Sequence, residues 1–170
     1  QIKITNKLEM QVRDKIEDLI VNHYVSTFLF GSKSEFDTLC HSIVADLRCK
    51  YPFIKRVAYT CCGEGCVLES EKKHREEIFY QLHNQKINLL SVDEEYEHKS
   101  KYTSGKASYV ERNRAMINDS DYCLFYFDKT YQPSKRKHSK REISYYQPKS
   151  GTYLAYLYAI QKKKKIINFA

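Results

Sequence analysis

The residues best suited to chemistry sit at turns between apolar runs. Pro148-Lys149-Ser150-Gly151-Thr152 leads straight into Tyr153-Leu154-Ala155-Tyr156-Leu157-Tyr158-Ala159, so a loop of small residues opens a helix. A helix start leaves backbone N–H groups unpaired and carries partial positive charge. A glycine there, with the hydroxyls of Ser150 and Thr152 beside it, lets an anionic oxygen reach the backbone. That chemistry is phosphate binding. The same residues also describe a helix capped by Ser150 that binds nothing. Gly31-Ser32-Lys33-Ser34, ahead of Phe36-Asp37, is a second glycine–hydroxyl turn, placed after the apolar run Ser26–Phe30.

A third group is Cys61-Cys62-Gly63-Glu64-Gly65-Cys66, half of the chain's six cysteines. Its spacing matches no zinc pattern and no second half follows, so a loop with reactive thiols is expected and no metal. Cys40 falls on the apolar face of a helix and Cys123 within a strand; both read as buried free thiols of a cytosolic, cytoplasmic protein. The net charge is +8. Much of it is local: Lys129, Lys135, Arg136, Lys137, Lys140, Arg141 and Lys149 face a single Glu142, and Lys162 to Lys165 form a second cluster. Such clusters suit nucleic acid, a small polyanion or a solvated face.

These turns need a scaffold. Leu8, Val12, Ile16, Leu19 and Ile20 repeat at helical spacing behind Thr5 and Asn6, giving an N-terminal helix within residues 1–24. Ser26–Phe30 reads as a buried strand, and Phe36 to Leu47 as a helix closed by Tyr51-Pro52. Ile54–Tyr59 is the next strand, followed by the cysteine loop, a charged helix from Glu69 to His83 and a weak strand Ile87–Leu90. Residues Ser91 to Lys106 show no period and read as a loop. Ala107–Asn118 is helical, Tyr122–Phe127 a strand, 128–150 a basic insertion loop and Lys165–Phe169 the last strand.

Strands alternating with helices over 170 residues predict one α/β domain. The expected form is a Rossmann-like three-layer sandwich with a mainly parallel sheet of about five strands. In such sheets ligands bind outside the carboxyl ends of the strands, where strand order reverses. That rule selects the loops at Gly31–Asp37, Asp128 and Pro148–Thr152. No apolar run approaches the roughly 20 residues that span a membrane, and no secretory pattern opens the chain. The chain begins at Gln1 rather than Met, so the expectation is that something upstream was trimmed or that the chain is part of a longer one.

Tyr109-Val110-Glu111-Arg112-Asn113-Arg114-Ala115-Met116-Ile117-Asn118-Asp119-Ser120-Asp121, with the strand behind it and Ser150-Gly151-Thr152, resembles the YpsA-like branch of the SLOG superfamily. That superfamily includes the LOG phosphoribohydrolases and DprA-type domains. The resemblance runs from about Ser26 to Phe169. It implies a nucleotide pocket in which Gly31 and Ser32 face one side of the ligand, while Arg112 and Asn113 lie on a pocket-facing helix. Ser150, Gly151 and Thr152 would hold phosphate. Arg112 would offer a planar fork of donors. Asn113 would offer both a donor and an acceptor to a ribose hydroxyl or base edge. Asp37 could accept from ribose or cap its own loop.

The chain departs from the LOG-type pattern of Pro-Gly-Gly-x-Gly-Thr with a Glu three residues after the Thr. Lys149 and Ser150 replace part of the glycine run, and Ala155 stands at the Glu position. N-glycoside cleavage needs a carboxylate near the ribose, which Ala155 cannot supply; Glu111 and Asp37 are the remaining candidates. The expected function is therefore binding without catalysis of a nucleotide or an ADP-ribose- or NAD-related signal, as sensor or sequestering module. SLOG domains of bacterial and phage defence systems resemble this use. The alternatives are a LOG-like nucleoside monophosphate hydrolase and, ranked behind it, single-stranded nucleic-acid binding through the basic segment. Tyr-rich helix faces could supply a homo-oligomer contact.

Overall fold

The structure, a computed structural model, describes residues 4–31, 34–61, 92–99, 106–131 and 150–170. Helix α1 (Asn6–His23) starts where Leu8 N–H donates to Thr5 Oγ1 at 3.2 Å, and its buried stripe is Leu8, Val12, Ile16, Leu19 and Ile20. It ends at Tyr24, whose φ of 56° turns the chain into strand β1 (Thr27–Phe30). Helix α2 (Glu35–Leu47) is capped by Ser34, whose Oγ accepts from Asp37 N–H at 3.0 Å. Glu35 and Asp37 lie in its first turn, where the helix dipole favours acids.

Strand β2 (Lys55–Cys61) is buried from Arg56 onward and pairs parallel with β1, Thr27 opposite Lys55 and Phe30 opposite Ala58. Its other edge pairs parallel with β3 (Glu94–His98). Helix α3 (Lys106–Asn118) leads to β4 (Tyr122–Phe125), and helix α4 (Gly151–Gln161) leads to β5 (Lys165–Asn168), which pairs parallel with β4.

The class is α/β with parallel pairing, but the five described strands form two sheets, ordered β1-β2-β3 and β4-β5, rather than one continuous sheet. Between β1 and β4 no ladder is made among the described residues. The halves share α2 all the same: Phe36 packs against Tyr126 and Phe169, with ring centroids 6.1 and 5.8 Å away. One core gathers α1, α2, Phe30 and Ile54; a second gathers Ile117, Cys123, Phe125, Phe127 and Ala159.

Three expectations are corrected. Residues 94–98, read as part of a loop, form β3: the strand is Glu-Glu-Tyr-Glu-His, mostly exposed, so it lacks the alternating apolar signal. Charge on such a sheet margin discourages further pairing. Cys61, read as the start of the cysteine loop, is the buried last residue of β2. Strand β4 stops at Phe125 rather than Phe127, because the Asn168 side chain takes over. Its Oδ1 accepts from Phe127 N–H at 2.8 Å and its Nδ2 donates to Phe127 O at 3.0 Å. The expected helix 69–83, strand 87–90, Cys62, Cys66 and most of the basic segment lie outside the described residues. No described helix is long and apolar enough to cross a membrane.

Candidate functional site

Arg112 is polar and long, yet only 3% exposed. A buried guanidinium needs acceptors. Its Nη1 donates to the carbonyl of Gly31 and, at 2.8 Å, to the carbonyl of Tyr59. These two carbonyls stand side by side, one register step beyond Phe30 and Ala58. Arg112 thus bridges the two carbonyls at the carboxyl end of the β1–β2 ladder. Its guanidinium also lies over the Tyr109 ring, 5.5 Å from the centroid and one helical turn back. Nη1 is taken by the two carbonyls, and Nε is the buried donor of this guanidinium that has no partner among the described residues.

Gly31 is required by this approach. A Cβ built on it would stand 2.6 Å from Nη1 and 3.0 Å from the guanidinium carbon. Gly151 differs: a Cβ there would meet nothing within 4 Å among the described residues.

A cavity of about 800 Å³ joins these residues. Gly31, Asp37, Arg112, Asn113, Gly151 and Thr152 all line it, together with Ser34, Tyr109 and Ala155. Six of the eight residues singled out in the sequence therefore meet on one wall system. Ser150 is not among the lining residues; its Oγ accepts from Tyr153 N–H at 3.0 Å, so it caps α4. Ser32 lies outside the described residues. The electrostatics are divided. Asp37 brings an acceptor to the α2 side, while Arg112 and the α4 start bring donors to the other.

Several groups with chemical potential lie elsewhere. Glu111 turns toward His98 Nε2, 4.0 Å away on β3, and does not line the cavity. Ala155 does line it and brings no carboxylate to the cavity wall. In the second lysine cluster, Lys164 donates to the carbonyls of Asn118 (2.9 Å) and Ser120 (2.6 Å), closing the end of α3. Lys165 donates to Tyr122 Oη at 3.0 Å. The Cys40 thiol lines the cavity wall, where burial and then the neighbouring Asp37 charge push its pKa up.

Sequence reasoning missed Tyr59, Tyr109 and Ser34. Tyr59 contributes a carbonyl, which no side-chain pattern signals. Tyr109 precedes Arg112 by one helical turn, a spacing that places a ring under a cation. Ser34 stands three residues before Asp37, a capping spacing visible in the sequence. Neither a family model nor a curated protein matches the chain.

Proposed function

We propose that the chain binds a nucleotide or a nucleotide-derived ligand, an ADP-ribose- or NAD-related signal included, and acts as a sensor or sequestering module without catalysis. The observation that carries this reading is the convergence of Gly31, Asp37, Arg112, Asn113, Gly151 and Thr152 on one cavity. Its volume of about 800 Å³ lies within the range of roughly 300–1,000 Å³ that small-molecule sites occupy. In this reading the phosphate lies between the first turn of α4, at Gly151 and Thr152, and the Arg112 guanidinium, and Asp37 accepts from a ribose hydroxyl.

The finer architecture belongs to the same proposal. With β1 and β4 facing each other across the cavity, strand order reads 3-2-1 then 4-5. That is a doubly wound arrangement whose reversal point is where ligands bind. The two sheets are then the halves of a Rossmann-like three-layer sandwich, and the likeness to the SLOG superfamily is part of this reading. Absence of a carboxylate at Ala155 supports binding over N-glycoside hydrolysis.

Isothermal titration with AMP, ADP, ADP-ribose and NAD, with product analysis of the same mixtures, tests it. Binding without released base, lost in Arg112→Ala, is the expected result. Base release that depends on Arg112 turns the protein into an enzyme. Failure of every probe to bind removes the reading.

A further inference from the structure

The cavity does not stop at its polar mouth. It continues between β1 and β4, where residues Thr27 to Phe30 and Tyr122 to Tyr126 line it. Ile16, Leu19, Cys40 and Val44 close it on one face, and Met116 and Ile117 on the other. The two strands run the same way: His23, just before β1, stacks near Tyr122 at 5.5 Å, while Phe36, just after it, meets Tyr126.

Backbone directions follow from the ladders. In a parallel pair, the N–H and C=O of successive residues point to alternate sides. Ser26 O accepts from Lys55 N–H, so Phe28 and Phe30 also face β2, and Thr27 and Leu29 face the seam. Asp121 O and Phe125 O accept from the β5 side, so Tyr122 and Leu124 face the seam from the other strand. Among the described residues these two edges have no strand partner, and both line the cavity between apolar layers. Thr27 is exposed and Leu29, Tyr122 and Leu124 are half-buried, so these backbone edges are within reach of a ligand in the cavity.

Resting on the nucleotide reading above, we infer that the nucleobase lies in the seam, in the plane of the sheet. The strand edges at Leu29 and Leu124 read its rim, and its phosphate occupies the mouth at Gly151 and Arg112. A flat heterocycle is what this space accepts. Its faces are apolar enough for Val44 and Met116, its rim alternates donors and acceptors, and its attached phosphate suits the cationic mouth. An extended peptide would fill the seam but bring no anion to the mouth. Discrimination among bases then comes from main-chain groups.

The test compares AMP, GMP, CMP and UMP with ribose 5-phosphate by titration calorimetry, with residue-resolved amide exchange on the intact chain. The favoured nucleotide should bind about tenfold or more tighter than ribose 5-phosphate. It should slow exchange at Leu29 and Leu124, while ribose 5-phosphate should not. Met116→Trp, which fills the seam, should erase the advantage of the base and leave ribose 5-phosphate binding in place. If ribose 5-phosphate binds as well as all four nucleotides, the seam inference fails while the mouth stands. If none of the five binds, both fail. Amides of Leu29 and Leu124 already protected without ligand would mean that β1 and β4 pair directly, which overturns the inference. An unchanged nucleotide preference in a folded Met116→Trp variant does the same.

Discussion

Arg112 Nη1 donates to the Gly31 carbonyl, and a β-carbon on Gly31 would stand 2.6 Å from the same nitrogen. Glycine and arginine are therefore one device, built from residues 81 positions apart. The glycine leaves space, the guanidinium fills it, and the end of two strands is closed beside the cavity.

Gly31→Ala should destabilise the protein by about 1–3 kcal/mol, because the added carbon forces Arg112 off its carbonyls. Arg112→Ala should lose a similar amount by leaving the Gly31 and Tyr59 carbonyls unpaired. The double variant should lose less than the sum, since the clash vanishes with the side chain. Urea unfolding of the four proteins measures this; strict additivity would show that the two residues do not touch.

Tyr24 holds φ at 56° at the end of α1, and its side chain is 87% exposed. A β-carbon in the left-handed region costs about 1–2 kcal/mol, and little packing is lost with this ring. Tyr24→Gly should raise the midpoint of thermal unfolding. A lower midpoint would mean that the ring contributes more than the backbone relaxation gains.

His41 is buried against Phe30 (4.9 Å between rings), and its pKa is lowered to about 4, first by burial and then by the Arg56 charge. The folded value lies below the ordinary 6.5, so the unfolded chain takes up the proton first as pH falls. Stability from this group is complete above about pH 6.5 and is lost as pH drops toward 4. Wild type should therefore lose stability relative to His41→Leu as pH falls from 7 to 4. A constant difference across that window would place the titration elsewhere.

Cys40 and Cys123 are buried with thiol pKa values pushed up, mainly by that burial, whereas Cys49 is exposed. The thiolate is the reacting species. Iodoacetamide labelling read by peptide mass spectrometry should modify Cys49 in the native protein and reach Cys40 and Cys123 only on unfolding. Rapid native labelling of Cys40 would show that the cavity opens to reagents.

The α1 stripe from Leu8 to Ile20, the α2 stripe from Phe36 to Leu47 and the apolar runs of β1, β4 and β5 were legible because burial of one face leaves a period in the chain. The cap at Ser150 was legible for a similar local reason: a hydroxyl three residues before an unpaired N–H has one obvious use. β3 was hidden because an exposed margin strand is held by backbone bonds to β2, and these are indifferent to side-chain type.

For the site, the chain order by itself determined which turns carry glycine beside hydroxyls and that no acid stands at Ala155. Only the tertiary structure decided that Arg112 serves the Gly31 and Tyr59 carbonyls with one nitrogen. It also decided that Glu111 faces His98 and that β1 and β4 leave a seam between them. The physical reason is range. Periodicity and capping act within a few residues, whereas a buried guanidinium chooses its acceptors among groups that meet only once the sheets are packed.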